Sequence, residues 1–334
     1  MDSITHTILG ACIGEAVGGR KLGKKAMVIG ALANNFPDID VVSSFWMTHT
    51  ESFVAHRGFT HSILFASIVT FVAGWAMKHI FRKSEFSKIE WYLLIGINLF
   101  VHLLVDVITA YGTGLFEPFS HDRIVFHLLF VADPFFTLPL LVSLIALLFL
   151  KTHSSKRKTW AFIGLTLSSV YCCYALFHKI RVNKAVEHSL TEQKMVYQKF
   201  MATPTPLNNF LWYIAVDRDT GYSIGYYSVF DHSPNIRFHY VPKKDYLLPK
   251  NDDDTKNLIR FSQGYYTADV LNDTLVFHDL RFGQIGGWFS GNAPFVFQYR
   301  LHPTTFYEVP FQRERIKASG GIILKEMIER IKGI

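Results

Sequence analysis

Cysteine is scarce in this sequence, with three residues in 334 and no CxxC pair. Cys12, Cys172 and Cys173 all lie in apolar stretches, which excludes a scaffold built on disulfide bonds. The N-terminus lacks a basic region and an A-x-A cleavage motif, so we expect no cleaved signal peptide. The sequence also lacks internal repeats and low-complexity stretches.

Polar residues are too few for an ordinary soluble protein of this length. Hydrophobic residues make up 49% of the chain, aromatic residues 15%, and the mean hydropathy is +0.18. This composition is typical of a membrane protein. The net charge of +7 does not indicate nucleic-acid binding, because the basic residues of the first half lie in short clusters between apolar runs. We therefore expect the lipid bilayer as a partner and no nucleic acid.

Nearly all the long apolar runs lie in residues 1–180. A helix that spans a membrane needs about 20 apolar residues, and four runs approach this length, namely 62–80, 91–110, 134–150 and 159–177. Two shorter runs, 4–17 and 26–36, are predicted to form half-spanning helices packed against the others. We predict an all-α multi-pass membrane domain with about six hydrophobic segments.

The second half, residues 181–334, predicts a soluble α+β domain. Residues 181–202 have the pattern of a polar helix, and residues 311–333 that of a helix rich in Lys, Arg and Glu. FLWYIAV and YSIGYYSVF flank a DRDTG turn, which is typical of a β-hairpin. Further strands are predicted near 237–241, 264–270, 274–281 and 295–301. We therefore predict an antiparallel sheet in this domain.

The basic residues of the first half alternate between loops. Four cations lie in or beside each of three loops, whereas the intervening loops 37–61 and 111–133 carry only Arg57 and Arg123. Because basic loops stay in the cytoplasm, the N-terminus and everything after residue 178 are predicted to lie outside. We expect a bacterial inner-membrane protein with an extracytoplasmic C-terminal domain. The twelve loop cations are Arg20, Lys21, Lys24, Lys25, Lys78, Arg82, Lys83, Lys88, Lys151, Lys156, Arg157 and Lys158.

One apolar segment carries a stripe of polar residues. Asn98, His102 and Asp106 are four apart and lie on one face of the predicted helix 91–110. An ionisable residue in a membrane helix costs about 3 kcal/mol, so two on one face need a partner. A shared metal ion would offset this cost, and a buried hydrogen bond between His102 and Asp106 is the alternative.

Three further groups lie at predicted helix ends, all on the outer face. Pro37 is predicted to start an extended turn, and Thr60 to cap the helix that follows. Acids and histidines without cations form a charge imbalance that a divalent metal can offset. Mixed histidine and carboxylate ligands suit zinc, so we predict one or two ions, most readily Zn. The groups comprise Asp2 and His6, Asp38 and Asp40 in NNFPDID, and His56, Arg57, Thr60 and His61 in HRGFTHS.

These motifs resemble a known family, the membrane-bound metal-dependent hydrolases, also described as LexA-binding, inner-membrane hydrolases. The resemblance covers residues 1–180 and rests on DSITHTILG, NNFPDID, HRGFTHS and HLLVDVITAYG. HRGFTHS is its most specific part.

The order of the acidic and histidine residues is also similar to that in zinc-dependent phospholipase C and the S1/P1 nucleases, helical enzymes that cut phosphodiesters at a zinc cluster. This similarity implies as ligands His6, Asp40 (or Asp38), His61, His102 and Asp106. Asp106 would bridge the two metal ions. The chain departs from those enzymes because it begins Met-Asp rather than with Trp. We expect at most two ions.

The sequence thus favours a metal-dependent hydrolase that acts on a phosphoester or lipid-like substrate at the outer face of the membrane. In this mechanism Arg57 holds the anionic group, and Asp38 or Asp2 accepts a proton from a water that the metal acidifies. Two alternatives remain: a scaffold with a structural metal, and an ion or proton transporter. Polar residues gather at one end of the helices instead of along their full depth, which favours a surface site over a transport path.

Overall fold

The computed structural model describes residues 1–271, 273–291, 293–301, 307–308 and 313–334. The chain divides into two compact units. The helical unit comprises residues 1–47 and 55–174, and the sheet unit comprises residues 48–54 and 175–334.

Helices form the first unit. They are α1 (Ser3–Leu22), α2 (Lys24–Asn35), α4 (Ile63–Ile80), α5 (Lys88–Val107), α6 (Pro134–Phe149) and the first part of α7 (Lys156–Glu192). The short helix α3 (His49–Ala55) lies almost wholly in the sheet unit. Within the described residues, α4, α5 and α7 are long and apolar enough to cross a membrane, and α6 is a shorter apolar helix. They confirm a helical N-terminal region with three candidate membrane spans.

Glycines bring α1 and α2 close together. A β-carbon at Gly14 would lie 2.1 Å from the carbonyl oxygen of Ala26, and one at Gly30 would lie 2.2 Å from that of Gly10. Only glycine permits this approach of two backbones. The close packing sets His6 of α1 beside Asn34 of α2, and their side chains form a 3.1 Å hydrogen bond.

The end of α7 differs from the sequence prediction. Residues 181–202 were predicted as a polar helix of their own, whereas α7 continues without interruption to Glu192. No Gly or Pro interrupts residues 178–192, so nothing ends the helix at the edge of the apolar run. Residues Lys199–Pro204 instead form strand β1, because they pair with the following strand along their whole length.

Two four-stranded antiparallel sheets form the second unit, which confirms the antiparallel prediction. The first sheet has the order β1 (Lys199–Pro204), β2 (Leu211–Arg218), β3 (Gly221–Ser228) and β4 (Phe238–Pro242). The second has the order β5 (Tyr266–Leu271), β6 (Thr274–Gln284), β7 (Phe295–Leu301) and β8 (Tyr307–Glu308). Helices α8 (Asp253–Phe261) and α9 (Arg313–Ile331) complete it. The helix predicted at 311–333 begins with two residues that lie outside the described part of the chain.

The core of the first sheet contains part of α7. Val182, Val186 and Leu190 of that helix are buried together with Trp212 and Ile214 of β2. The sheet unit also holds the segment 48–54, in which the ring of Phe53 lies 5.3 Å from that of Phe261 and 5.5 Å from that of Tyr299. This segment lies between NNFPDID and HRGFTHS in the sequence.

Candidate metal centre

Helix α5 supplies His102 and Asp106, both fully buried. The helix starts with a reciprocal capping box between Ser87 and Glu90. Thr109 stabilises its last turn, because the Thr109 hydroxyl donates to the carbonyl of Asp106 at 2.9 Å. The i, i+4 spacing therefore places the two candidate ligands on one face, as the sequence predicts.

The asparagines of NNFPDID end α2, and FPDID begins a 3-10 helix, Phe36–Phe45, where the sequence predicted an extended turn. Pro37 lies in the first turn, where a missing N–H is tolerated, so it starts this helix as well as it would start a turn. Asp40 accepts hydrogen bonds from the backbone N–H of Arg57 at 3.0 Å and the hydroxyl of Thr60 at 2.9 Å. Asp40 thus joins NNFPDID to HRGFTHS.

Ser62 caps α4, and the prediction that Thr60 caps it is wrong. The Ser62 side chain accepts from the backbone N–H of Phe65 at 3.0 Å. The Thr60 hydroxyl is committed to Asp40, and it also lies 3.0 Å from Nδ1 of His61. Thr60 therefore orients the two neighbouring site residues instead of the helix.

Four donor atoms from three chain segments converge at one point. His61 and His102 present their Nε2 atoms 3.0 Å apart. His61 Nε2 lies 3.4 Å from Asp38 Oδ1 and 3.3 Å from Asp106 Oδ2. His102 Nε2 lies 3.8 Å and 3.5 Å from the same two oxygens. All four atoms lie within 4.8 Å of one another.

These separations match the dimensions of a tetrahedral metal site. Ligands bound tetrahedrally at about 2.1 Å from zinc lie about 3.4 Å from one another. Asp106 Oδ2 is buried and accepts no hydrogen bond of good geometry, although Nε of Arg57 and two imidazole nitrogens lie within 3.5 Å of it. A buried acceptor left in this state is costly, and a cation among the four atoms would satisfy it. The donor set therefore fits a divalent metal.

A second group of possible ligands adjoins the first. Asp38, Asp40 and His56 also offer ligand atoms within 4.8 Å of one another. His56 Nδ1 lies 2.9 Å from Asp40 Oδ1. Asp38 belongs to both groups, whereas Asp106, the bridge that the resemblance implies, belongs to the first alone.

His6 contacts two of the four ligand residues but belongs to neither ligand group. Its Nε2 contacts Asp106 Oδ1 at 3.1 Å, and its ring lies 3.9 Å from that of His102. The N-terminal amine of Met1 donates to the same Asp106 oxygen. Asp2 caps α1 through the N–H and hydroxyl of Thr5 and is placed outside both ligand groups.

Arg57 faces the carboxylate side of the site. The sequence assigned it to an anionic substrate; its Nε lies 3.1 Å from Asp106 Oδ2 and its Nη1 donates to Thr109 at 3.0 Å. The guanidinium also lies over the ring of Tyr111 at 4.9 Å. Arg57 has a φ of 60° and is only 3% exposed. A strained backbone in a buried motif is typical of functional sites.

Electrostatics hold His61 and Asp40 in their charged forms. Burial lowers the pKa of His61, but hydrogen bonds to Asp106, Asp38 and Asp40 outweigh this and raise it to about 10. Burial raises the pKa of Asp40, but hydrogen bonds to His56 and His61 outweigh this and hold it well below the usual range. In the metal-free site, therefore, a proton on His61 partly offsets the carboxylate charge.

Comparison with known proteins shows which family the chain belongs to. Residues 1–181 match the YdjM inner membrane protein family, and this stretch contains every residue of both ligand groups. The chain belongs to the YdjM inner membrane protein family. Uncharacterized protein YfhP of Bacillus subtilis (strain 168) is 24% identical over 317 residues, which cover 89% of this chain and 90% of the relative. Inner membrane protein YbcI of Escherichia coli (strain K12) is 30% identical over 122 residues, which cover 36% of this chain and 69% of the relative. No solved structure matches the chain.

Membership of the YdjM family agrees with the apolar helices and supports an inner-membrane location. The family description does not include a metal or a reaction. The metal-binding interpretation therefore rests on the donor atoms of this chain.

Sequence reasoning missed one residue of the site. Asn34 is fully buried, contacts His6 and donates to the backbone carbonyl of Asn98 at 2.9 Å. It is polar in an otherwise apolar segment and begins NNFPDID, which was the available signal. Arg123, the cation of the loop 111–133, donates to the backbone carbonyl of His56 at 2.9 Å. It therefore contacts a chain segment of the second ligand group.

Proposed function

We propose that this chain is a membrane-embedded, metal-dependent hydrolase that acts on a phosphoester or lipid-like substrate at the outer face of the membrane. The observation that carries the proposal is the convergence of four donor atoms, from NNFPDID, HRGFTHS and α5, at separations close to those of a tetrahedral site. A buried hydrogen bond between His102 and Asp106 alone would not require His61 and Asp38 to lie at the same point.

His61, His102 and Asp106 would hold one ion, because these three side chains are fully buried. Three protein ligands and one open position are typical of catalytic zinc sites, whereas structural sites are closed by four. A divalent metal bound there supplies Lewis acidity for polarising an ester oxygen and acidifying water. Zinc suits this set of ligands best.

Asp38 would act as the proton acceptor. It is 21% exposed, whereas the other three side chains of its group are 0% exposed. Its carboxylate therefore faces the side from which water and substrate can approach, while Oδ1 stays 3.4 Å from His61 Nε2. If two ions bind, the second would be held by Asp40 and His56, and Asp38 would join the two sites.

The surroundings of Asp38 favour a substrate that comes from the bilayer. The 3-10 helix that carries Asp38 and Asp40 exposes Ile39, Val41 and Phe45, and Phe45 is 86% exposed. Trp46, directly after this helix, is 70% exposed. Large aromatic residues of this kind settle at the interface between lipid and water. The carboxylates would thus lie at the depth of lipid headgroups.

The proposed topology assigns each element to the membrane or to one of its two sides. α4, α5, α6 and α7 would cross the membrane, with α1 and α2 as half-spanning helices, giving six hydrophobic segments. The basic loops would be cytoplasmic, and the ligand groups and the C-terminal domain would be extracytoplasmic. A transporter or a scaffold with a structural metal would have the same helices, so activity has to separate these functions.

The test is turnover by the purified, zinc-loaded protein of bis(p-nitrophenyl) phosphate and of phospholipids in mixed micelles. We expect hydrolysis by the wild type, retained metal but strongly reduced turnover in Asp38→Asn, and wild-type behaviour in Asp122→Asn. Asp122 is an exposed acid bonded to Ser120 and is the matched control. If the wild type holds its metal and hydrolyses none of these esters, the scaffold function is supported.

A further inference from the structure

A polar cavity lies in the helical unit, at the end of α1 opposite His6. Its volume is about 290 Å³. It lies between the C-terminal end of α1 and the loop that leads into α7. The fourteen residues from His6 to Arg20 correspond to about 21 Å of helix, so the cavity is separate from the ligand groups. Its polar lining includes Glu15, Arg20, Thr152, His153, Arg157 and Lys158.

A buried ion pair forms the floor of this cavity. Arg157 Nε donates to Glu15 Oε1 at 2.9 Å, and Nη2 donates to the other carboxylate oxygen at 2.5 Å. The remaining Nη1 donates to the carbonyl of Leu147 at 2.6 Å. Gly19 makes room for the carboxylate, because a β-carbon there would lie 2.3 Å from Glu15 Oε1. The pair is satisfied by its own contacts and contributes no net charge.

Two cations of the lining have no carboxylate partner among the described residues. Arg20 and Lys158 are exposed, and His153 lies beside them. The lining also supplies the hydroxyls of Thr152, Ser154 and Ser155. The cavity therefore combines net positive charge with hydrogen-bond donors, which is the chemistry that a phosphate group needs.

The start of α7 adds to this positive charge. Its first turn contains Lys156 and Lys158 beside the paired Arg157, and no acidic residue. The N-terminus of a helix carries partial positive charge and free N–H groups, so cations there are unfavourable and an anion is favourable. α7 is also a candidate membrane span, so its basic start lies at the surface of the apolar layer. An anion in the cavity would offset both excesses of positive charge.

We propose that this cavity binds a phosphate-bearing anion, either the headgroup of an anionic phospholipid or free phosphate. Basic pockets beside membrane helices commonly bind anionic lipid headgroups. Arg20 and Lys158 supply the charge, and the loop hydroxyls donate hydrogen bonds. The site does not depend on the proposed hydrolase activity, since it shares no residue with either ligand group.

The experiment compares two double variants of the full-length protein. Arg20→Gln with Lys158→Gln removes the free cations of the cavity. Arg82→Gln with Lys83→Gln removes the same charge from an exposed loop and leaves the cavity intact. Each protein is studied in nanodiscs of phosphatidylcholine with increasing phosphatidylglycerol, and in uncharged detergent with inorganic phosphate. Retained lipid is counted by native mass spectrometry, and phosphate binding is measured by the shift in melting temperature. Folding is checked by circular dichroism and metal content.

We expect the wild type and the loop variant to retain phosphatidylglycerol, or to bind phosphate, with equal affinity. The cavity variant should bind about ten- to thirtyfold more weakly, because each basic residue near the surface contributes about 1 kcal/mol. Binding in the nanodisc arm alone identifies a lipid, and binding in the phosphate arm alone identifies free phosphate. Equal losses in both variants, or no binding in either arm, would overturn the proposal.

Discussion

His61 and His102 face each other through their Nε2 atoms, 3.0 Å apart, in the centre of the ligand groups. A hydrogen bond at this distance requires one ring to donate and the other to accept. Two carboxylate oxygens lie beside the same nitrogens, at 3.3 Å and 3.4 Å from His61. One proton can satisfy one of these contacts at a time, whereas a metal ion can be shared by all four atoms. This relationship underlies the first prediction.

The purified protein should carry one or two divalent ions per chain, most readily zinc. His102→Ala and Asp106→Ala should each lose at least one ion, because each removes a donor that water replaces poorly in a buried site. His121→Ala is the control, since His121 is exposed and pairs with Glu117. Metal content is measured by inductively coupled plasma mass spectrometry. Full occupancy in both site variants would mean that the stripe on α5 serves helix packing alone.

The site was predictable where its residues follow helical periodicity. The i, i+4 spacing of His102 and Asp106 was sufficient to place both on one face of α5. The motif NNFPDID contributes Asp38 and Asp40 to the ligand groups. Its predicted conformation was wrong, because a proline near a helix end is compatible with a turn or with a first helical turn. Ser62 and Thr60 are both good capping residues, and only the contact of Thr60 with Asp40 decides between them.

The fold was predictable at the level of its two parts. Apolar runs indicated the membrane helices, and alternating residues around a DRDTG turn indicated the hairpin of β2 and β3. The length of α7 was not predictable from hydropathy, because a helix can continue after its apolar part ends. The inclusion of residues 48–54 in the sheet unit was also missed, since it depends on tertiary contacts such as that of Phe53 with Phe261.

The proposed topology predicts which positions a membrane-impermeant reagent reaches. In a variant without Cys12, Cys172 and Cys173, a cysteine at position 334 should be labelled in spheroplasts with an intact inner membrane. A cysteine at Lys83 should be labelled only after permeabilisation, because the basic loops are predicted to be cytoplasmic. Labelling is measured with a maleimide that carries a mass tag. The reverse pattern would contradict the orientation and would put the ligand groups on the cytoplasmic face.

Acid should destabilise the sheet unit through His278. This residue is 8% exposed in β6, its Nδ1 has no hydrogen-bond partner, and burial lowers its pKa to about 4. Between pH 6.5 and about 4 the unfolded chain binds a proton that the folded chain does not. The free energy of unfolding therefore decreases as the pH is lowered across this window. The loss is about 3 kcal/mol, from 1.36 kcal/mol per pKa unit.

Hydrogen exchange of the β6 amides checks the effect of His278. Protection should decrease from pH 6.5 to 4 in the wild type, after correction for the intrinsic exchange rate, and should change much less in His278→Gln. His232→Gln is the control, because His232 is exposed. An equal decrease in all three proteins would assign the acid sensitivity to other groups.

Arg57 provides the last prediction, because its contacts suggest two separable roles. Its guanidinium is buried, lies 3.1 Å from Asp106 Oδ2 and is bonded to Thr109. If these contacts define its role, Arg57→Ala leaves a buried carboxylate without its partner, which costs about 3–5 kcal/mol. We expect the metal-free variant to melt well below the wild type, with Arg57→Lys in between because lysine keeps the charge but not the planar geometry.

A direct role in substrate binding would give the opposite pattern in the same variants. Arg57→Ala would keep the melting temperature and metal content of the wild type and would lose ten- to about a hundred-and-fifty-fold in turnover of an anionic ester, the loss expected for a charge-assisted hydrogen bond of about 1.5–3 kcal/mol. His61→Ala is the reference for loss of a ligand, since it should lower both metal content and stability. Melting temperature and metal content together therefore distinguish the roles before any substrate is known. We expect the structural pattern, because the buried guanidinium already contacts Asp106 and Thr109.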